Sequence, residues 1–216
     1  MTIGILIVDD HPLVRDGLTT LISKHGDLKL CGEASGIAEA RELTRTTHPD
    51  VAIVDLTLND GNGISLIKEL TDQYDDLKVL ALSMHDEALF AERTLHAGAA
   101  GYVGKHEASR TIIYAIRTVL DGNVYLSERM TRRMPARSIG SKKQPDDRSP
   151  VENLSDRELE IFEMIGRGMT SRQIAKELNV SQRTVDTHRE NIKSKLNLKN
   201  AVELTMHAVR WALGER

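Results

Sequence analysis

The sequence predicts a doubly wound α/β domain with a five-stranded parallel sheet over residues 1–126, and an all-α domain of four short helices over residues 151–216, joined by a linker at 127–150. Three observations predict this. Short apolar, β-branched runs alternate with segments of helical period in the first part, the pattern of βα units on a parallel sheet. Apolar periodicity lapses from Ser127 to Asn153, where Arg, Ser and Lys accumulate with Pro135, Pro145 and Pro150. Charge follows the same division: residues 1–126 carry 11 Lys+Arg against 19 Asp+Glu, 127–149 carry 7 against 3, and 150–216 carry 11 against 10. An acidic front, a basic connector and a near-neutral tail imply modules with different partners.

Ile3 to Val8, Leu28 to Ala34, Val51 to Asp55, Lys78 to Ser83 and Gly101 to Gly104 are the expected strands. The first and third are almost wholly apolar, as strands covered by helices on both faces must be. Helices are expected over about Pro12–Lys24, Ile37–Thr46, Gly63–Tyr74, Glu87–Ala97 and Arg110–Asp121, where apolar residues recur at helical spacing. The start of the linker, Ser127 to Arg137, has the composition of a short helix, which leaves flexibility mainly to Ser138–Pro150. Ser155 with Glu158 is a capping-box start, and Gly166 and Gly168 end that helix. Thr170 or Ser171 starts the next, Ser181 caps a third running through Leu196, and Asn200 starts a fourth reaching Leu213.

Composition narrows the class of function. The 216 residues are 28% charged and 40% hydrophobic, which fits a globular chain of one large or two small domains. A single cysteine, Cys31, allows neither an internal disulfide nor a cysteine zinc cluster. Met1 to Val8 run apolar straight into Asp9 and Asp10 without the layout of a secretory signal. No apolar stretch approaches the roughly 20 residues needed to span a bilayer. A cytoplasmic protein with no membrane partner is expected.

Asp9 and Asp10 follow the first strand and Asp55 ends the third, and in a parallel sheet those carboxyl ends share an edge. Three acids converging there raise one another's pKa unless a cation intervenes, and a hard divalent ion such as Mg²⁺ is the simplest remedy. Ser83 and Lys105 reach the same edge from the fourth and fifth strands. The set has the chemistry of a phosphoryl site: Asp55 as nucleophile, Mg²⁺ on Asp9, Asp10 and Asp55, and Ser83 and Lys105 on the phosphoryl oxygens. Each acid alone could be a helix cap or a solvated loop residue; five residues behind four strands on one edge are hard to explain that way. His11 and Cys31 lack spacing partners and are read as structural, and Gly98 to Lys105 and Asn59-Asp60-Gly61 depart from phosphate-loop and calcium-loop spacing.

These residues, Ile5-Leu-Ile-Val-Asp-Asp-His-Pro, Asp55 with Gly63, Ser83, Gly101-Tyr-Val and Lys105, resemble the receiver domain of two-component response regulators, over essentially all of residues 1–126. The resemblance implies a flavodoxin-like fold and transfer of a phosphoryl group to Asp55 from a cognate histidine kinase. It further implies that Thr57 lends its main-chain carbonyl to the metal and that Tyr102 changes rotamer with Ser83. Leu58-Asn59 stand where such families usually have Met-Pro.

Residues Ser171 to Val185 place a short helix, a turn and a second helix in tandem, which is helix-turn-helix grammar. Val185, His188, Ile192 and Leu196 fall on one side of the second helix and should pack inward. Arg183, Thr187, Glu190 and Asn191 then point away, while Arg189, Lys193 and Lys195 sit at the flanks and end, facing bases and phosphates. A helical interaction domain with a solvated basic face is the competing explanation. Leu154-Ser-Asp-Arg-Glu-Leu-Glu-Ile, Ile174-Ala-Lys-Glu-Leu and Ser181 to Leu196 look like the LuxR-type DNA-binding domain, and the whole chain resembles the NarL/FixJ subfamily of response regulators. Ser181, Gln182, Thr184 and Asp186 are further candidate DNA contacts, with Asp186 and Glu190 standing where some members of the family carry lysine, and the likeness implies a homodimer, through about Ala201 to Ala212, on inverted or direct half-sites.

The expected function is therefore a DNA-binding transcriptional regulator, not an enzyme, whose phosphorylation on Asp55 favours dimeric operator binding. Two alternatives stand beside it. A regulator that uses the first domain only as a docking or dimerisation surface would not need Asp55 phosphorylated. An aspartyl phosphohydrolase would usually carry a second acid two residues after its nucleophile, where this chain has Thr57.

Overall fold

A computed structural model describes residues 2–85, 87–133 and 150–213. The chain forms two compact units, Met1–Pro135 and Ala136–Arg216. Residues 138–149 of the expected flexible stretch lie outside the described residues.

In the first unit β1 (Ile3–Val8), β2 (Leu28–Ala34), β3 (Val51–Asp55), β6 (Lys78–Ser83) and β7 (Gly101–Gly104) form one parallel sheet in the order β2-β1-β3-β6-β7. A separate two-residue hairpin pairs β4 (Thr57–Leu58) with β5 (Gly61–Asn62). Helices α1 (Pro12–Ile22), α2 (Ile37–Thr47), α3 (Gly63–Gln73), α4 (Glu87–His96) and α5 (Ala108–Leu120) cover the sheet. Side-chain alternation divides the strand residues between two buried faces. Ile5, Ile7, Ile53, Leu80 and Leu82 join Leu18 and Ile22 of α1 and Ile112, Ile116 and Val119 of α5 in one core, while Leu6, Val8, Ala52, Val54, Val79 and Ala81 are equally buried on the other face.

The five long strands lie where the short apolar runs place them, and the central strands β3 and β6 are buried almost throughout, which leaves no alternation to misread. Helix α5 starts two residues earlier than its apolar period suggests, at Ala108, a residue buried in the core. The first unit also extends past residue 126. Helix α6 (Glu128–Arg133) follows directly, with Met130 buried and the Ser127 amide bonded to Glu87.

In the second unit a 3-10 turn (Pro150–Asn153) precedes α7 (Asp156–Gly166), α8 (Ser171–Glu177), α9 (Gln182–Lys195) and α10 (Ala201–Ala212). Ser155 and Thr170 close capping boxes with Glu158 and Gln173, and Ser181 and Asn200 accept amide hydrogens from Thr184 and Glu203. Asn179, between α8 and α9, adopts the left-handed conformation (φ 49°) that Asn tolerates better than most side chains, which makes the tight turn. Ile161, Phe162, Ile165, Ile174, Val185, Ile192, Leu204 and Ala208 are buried in this unit. Helix α7 meets α10 so closely that a β-carbon on Gly166 would stand 2.6 Å from the Ala208 carbonyl oxygen. Among the described residues, no helix is long and apolar enough to cross a membrane.

Candidate functional site

Sheet register builds the first site. Val8 pairs with Val54, Asp55 with Leu82 and Ser83 with Gly104, so Asp9, Asp55, Ser83 and Lys105 leave the strands along one edge. Lys105 Nζ lies 2.6 Å from Asp55 Oδ2 and 2.8 Å from Asp9 Oδ2, bridging the two buried carboxylates. The Thr57 amide donates to Asp55 Oδ1 at 3.2 Å. Burial pushes the Asp55 carboxyl up to about 6 with help from Asp9, against the opposing pull of Lys105 and the Thr57 amide. Burial acts the other way on Lys105, yet Asp55 and Asp9 outweigh it and hold its ammonium above the ordinary lysine value. One ammonium among three carboxylates leaves the pocket short of positive charge.

The donor set fits a hard divalent cation. Asp9, Asp10, His11 and Asp55 each offer one ligand atom within 4.8 Å of the others. Oxygen ligands dominate, and a cation among them would favour the charged form of Asp55 that burial and Asp9 disfavour. His11 is the residue set aside on spacing that the fold brings to the pocket: its Nδ1 stands 2.6 Å from Asp10 Oδ1 and 3.2 Å from Asp9 Oδ1. It follows Asp10 directly at the end of β1, so position alone could have included it.

Ser83 is buried, and its hydroxyl oxygen accepts the His85 amide hydrogen at 3.0 Å. The Tyr102 ring lies inside, with its hydroxyl donating to the His85 carbonyl oxygen at 2.8 Å. Sequence reasoning missed His85. Its Nε2 is 2.9 Å from the Thr57 hydroxyl and its ring stacks on Phe90 at 4.6 Å, so it joins the acidic edge of the sheet to α4. Leu58, which stands with Asn59 in place of Met-Pro, is buried in the β4–β5 hairpin, where Thr57 pairs with Asn62. Gly63 follows because no side chain fits there: a β-carbon would lie 2.0 Å from the Asp55 carbonyl oxygen.

The second site is the outer face of α9. Val185, Ile192 and Leu196 are buried and His188 half-buried, so the opposite face meets solvent. Burial and the Arg157 charge hold the His188 imidazole below its ordinary value, against Glu158 and Glu160, so this inward histidine favours its neutral form. Gln182, Arg183, Asp186, Thr187 and Glu190 line a shallow open depression. Ser181 and Thr184, both exposed, bond to each other at 2.8 Å at the start of the helix. Asn191 is exposed, Arg189 half-buried, and Lys193 pairs with Glu190 at 2.8 Å. Lys195 does something its sequence position does not show: its ammonium reaches the buried Glu158 of α7 at 2.6 Å and braces α9 from behind.

Comparison with known proteins assigns a family to each unit. Residues 5–117 match the family described as "Response regulator receiver domain", and residues 152–208 match "Bacterial regulatory proteins, luxR family". Response regulator UvrY of Escherichia coli (strain K12) is 35% identical over 211 residues, covering 98% of this chain and 95% of that protein. The oxygen regulatory protein NreC of Staphylococcus carnosus (strain TM300) is 33% identical over 212 residues, 97% of this chain and 98% of that protein. The fold is shared with RcsB from Salmonella enterica serovar Typhimurium, solved bound to promoter rprA in the presence of phosphomimetic BeF3⁻, at a TM-score of 0.63 and 23% identity over 97% of this chain and 99% of that one. The chain belongs to the two-component response regulators of the NarL/FixJ type, transcription regulators rather than enzymes, in which a receiver domain is joined to a LuxR-type helix-turn-helix DNA-binding domain.

Proposed function

We propose that Asp55 accepts a phosphoryl group from a cognate histidine kinase and that the phosphorylated chain binds its operator as a homodimer. The observation that carries this reading is the buried Asp55 carboxylate held by Lys105 beside Asp9. An Asp55 oxygen attacks phosphorus, the phosphorus–nitrogen bond of the donor phosphohistidine breaks, and the electron pair leaves with the imidazole nitrogen. Lys105 and the Ser83 hydroxyl hold phosphoryl oxygens at the edge of the sheet. Mg²⁺, held by Asp9, Asp10, Asp55 and the Thr57 carbonyl, would supply the charge neutralisation that one ammonium cannot. Tyr102 is buried against the His85 carbonyl, and movement of Ser83 toward the phosphoryl group would be felt there.

Helix α9 is the reader. Its exposed residues Gln182, Arg183, Asp186, Thr187, Glu190 and Asn191 are suited to base edges, and Ser181, Thr184, Arg189 and Lys193 to phosphates. Inverted or direct half-sites would be read by the two copies of the homodimer, in the cytoplasm. The test of the chemistry is incubation of the full chain with acetyl phosphate and Mg²⁺. Acid-labile phosphate on the wild type and none on Asp55→Asn is the expected result; equal labelling of both would refute the assignment.

A further inference from the structure

We infer that Glu87 and Ser127 form a latch between the start of α4, behind the phosphoryl site, and the segment that leads into α6 at the end of the first unit, and that phosphorylation of Asp55 opens it. The opening rests on the phosphorylation reading above; the latch does not.

After α5 the chain returns to the sheet edge. The Tyr125 amide donates to the Ala100 carbonyl at 3.1 Å, and the Tyr102 amide donates to the Tyr125 carbonyl at 2.9 Å, extending the sheet by one bridge beside β7. Two residues later the Ser127 amide donates to Glu87 Oε1 at 2.8 Å, and the Ser127 hydroxyl donates to Glu87 Oε2 in a short contact. The same hydroxyl oxygen accepts the Met130 amide hydrogen at 3.2 Å, which caps α6, while the Met130 side chain is buried. One carboxylate therefore holds the first residue of the exit segment through both of its donors.

Glu87 is the first residue of α4 and stands four residues after Ser83. His85 lies between them in the chain, touching Ser83 through its amide, Tyr102 through its carbonyl, and both Thr57 and Phe90 through its ring. If Ser83 turns its hydroxyl to a phosphoryl oxygen, the His85 amide loses that acceptor and the start of α4 is free to shift. Hydrogen bonds at this distance are lost within about 1 Å of displacement. Helix α6 has only six residues, too few to persist without its cap. A small movement at the pocket thus becomes loss of order in the segment that leads, along the chain, to the DNA-binding unit.

Hydrogen exchange of the full chain over residues 127–133 tests this, read with and without acetyl phosphate and Mg²⁺, with acid-labile phosphate on Asp55 measured in the same samples. Without donor, Glu87→Gln and Ser127→Ala should each speed exchange about fivefold, the worth of roughly one net hydrogen bond, while Ser127→Thr, which keeps the hydroxyl, should stay protected. Two variants on different elements guard against damage to α4 alone. Unchanged exchange in both Glu87→Gln and Ser127→Ala would overturn the latch. Donor should speed exchange in the wild type and add nothing in those two variants. Wild-type chain that carries the phosphate yet keeps its protection would overturn the opening. Absence of phosphate on Asp55 would defeat the phosphorylation reading and the opening with it, with the donor-free comparison still deciding the latch.

Discussion

Replacing Lys195 with Met should destabilise the DNA-binding unit by removing the charged partner of the buried Glu158. Glu158 is 5% exposed and accepts from Lys195 Nζ at 2.6 Å and from the Ser155 amide at 2.7 Å. Removing one partner of a fully buried pair costs about 3–5 kcal/mol. Here the Lys195 side chain is 42% exposed, so solvent screening reduces the expected loss to about 1–2 kcal/mol. The sign of the pH dependence follows from Glu158. Burial pushes its carboxyl up, but Lys195 and the Ser155 amide and hydroxyl outweigh it and hold it below the ordinary value of 4.5. The pair's contribution is therefore complete above pH 4.5 and is lost as pH falls through the lower folded value. Trp211, the sole tryptophan, packs edge-on to Phe162 of α7 at 6.5 Å and reports on this unit. Urea unfolding followed by its emission should show a lower midpoint for Lys195→Met at pH 7, with the gap narrowing in acid. Equal midpoints at pH 7, or a gap unchanged at acid pH, would refute the reasoning.

In metal-free buffer Asp55→Asn should stabilise the receiver. The carboxyl goes from an ordinary 3.8 to about 6 on folding, so wild-type stability falls as pH rises across that interval, and the variant should gain about 2–3 kcal/mol above it. Thermal melts across pH check this, and added Mg²⁺ should shrink the gap by binding the folded wild type. Gly63→Ala puts a β-carbon where the Asp55 carbonyl oxygen already is, so the receiver should lose about 2 kcal/mol or more by overpacking and label poorly with acetyl phosphate. Glu190→Ala should relax base preference at one position by about 1–3 kcal/mol, as a cytosine amino contact would, visible in selection from a randomised operator. Lys193→Ala should weaken binding evenly across sequences and reduce the salt slope by about one unit, measured by anisotropy titrations at several salt concentrations.

What could be read from the sequence was local or periodic. The strands announce themselves by short, mostly apolar runs, and Ser155, Thr170 or Ser171, Ser181 and Asn200 each mark a helix start because a cap acts within three residues. The acidic pocket was legible because parallel topology sends every strand's carboxyl end to one edge. Pairings set only by the closed fold were not. Glu158 and Lys195 lie 37 residues apart and Glu87 and Ser127 lie 40 apart, with no period linking them. Glu158, Glu160 and Glu163 are all buried on α7, where amphipathic reasoning puts acids in solvent; Lys195, Arg157 and Arg167 pair with them. The two-residue strands of the β4–β5 hairpin are too short for alternation to show. His11 has no partner at metal-ligand spacing in the sequence, because its partners are the two acids directly before it.

The proposed control of DNA binding by Asp55 is tested most directly by DNA affinity of the full chain, titrated with and without acetyl phosphate and Mg²⁺ on a selected operator, beside Asp55→Asn. Tighter binding of the wild type on addition of donor, with no response from the variant, is the predicted outcome. An affinity that ignores the donor in a chain shown to carry phosphate on Asp55, or one that rises equally in the variant, would contradict control of α9 by the acidic pocket.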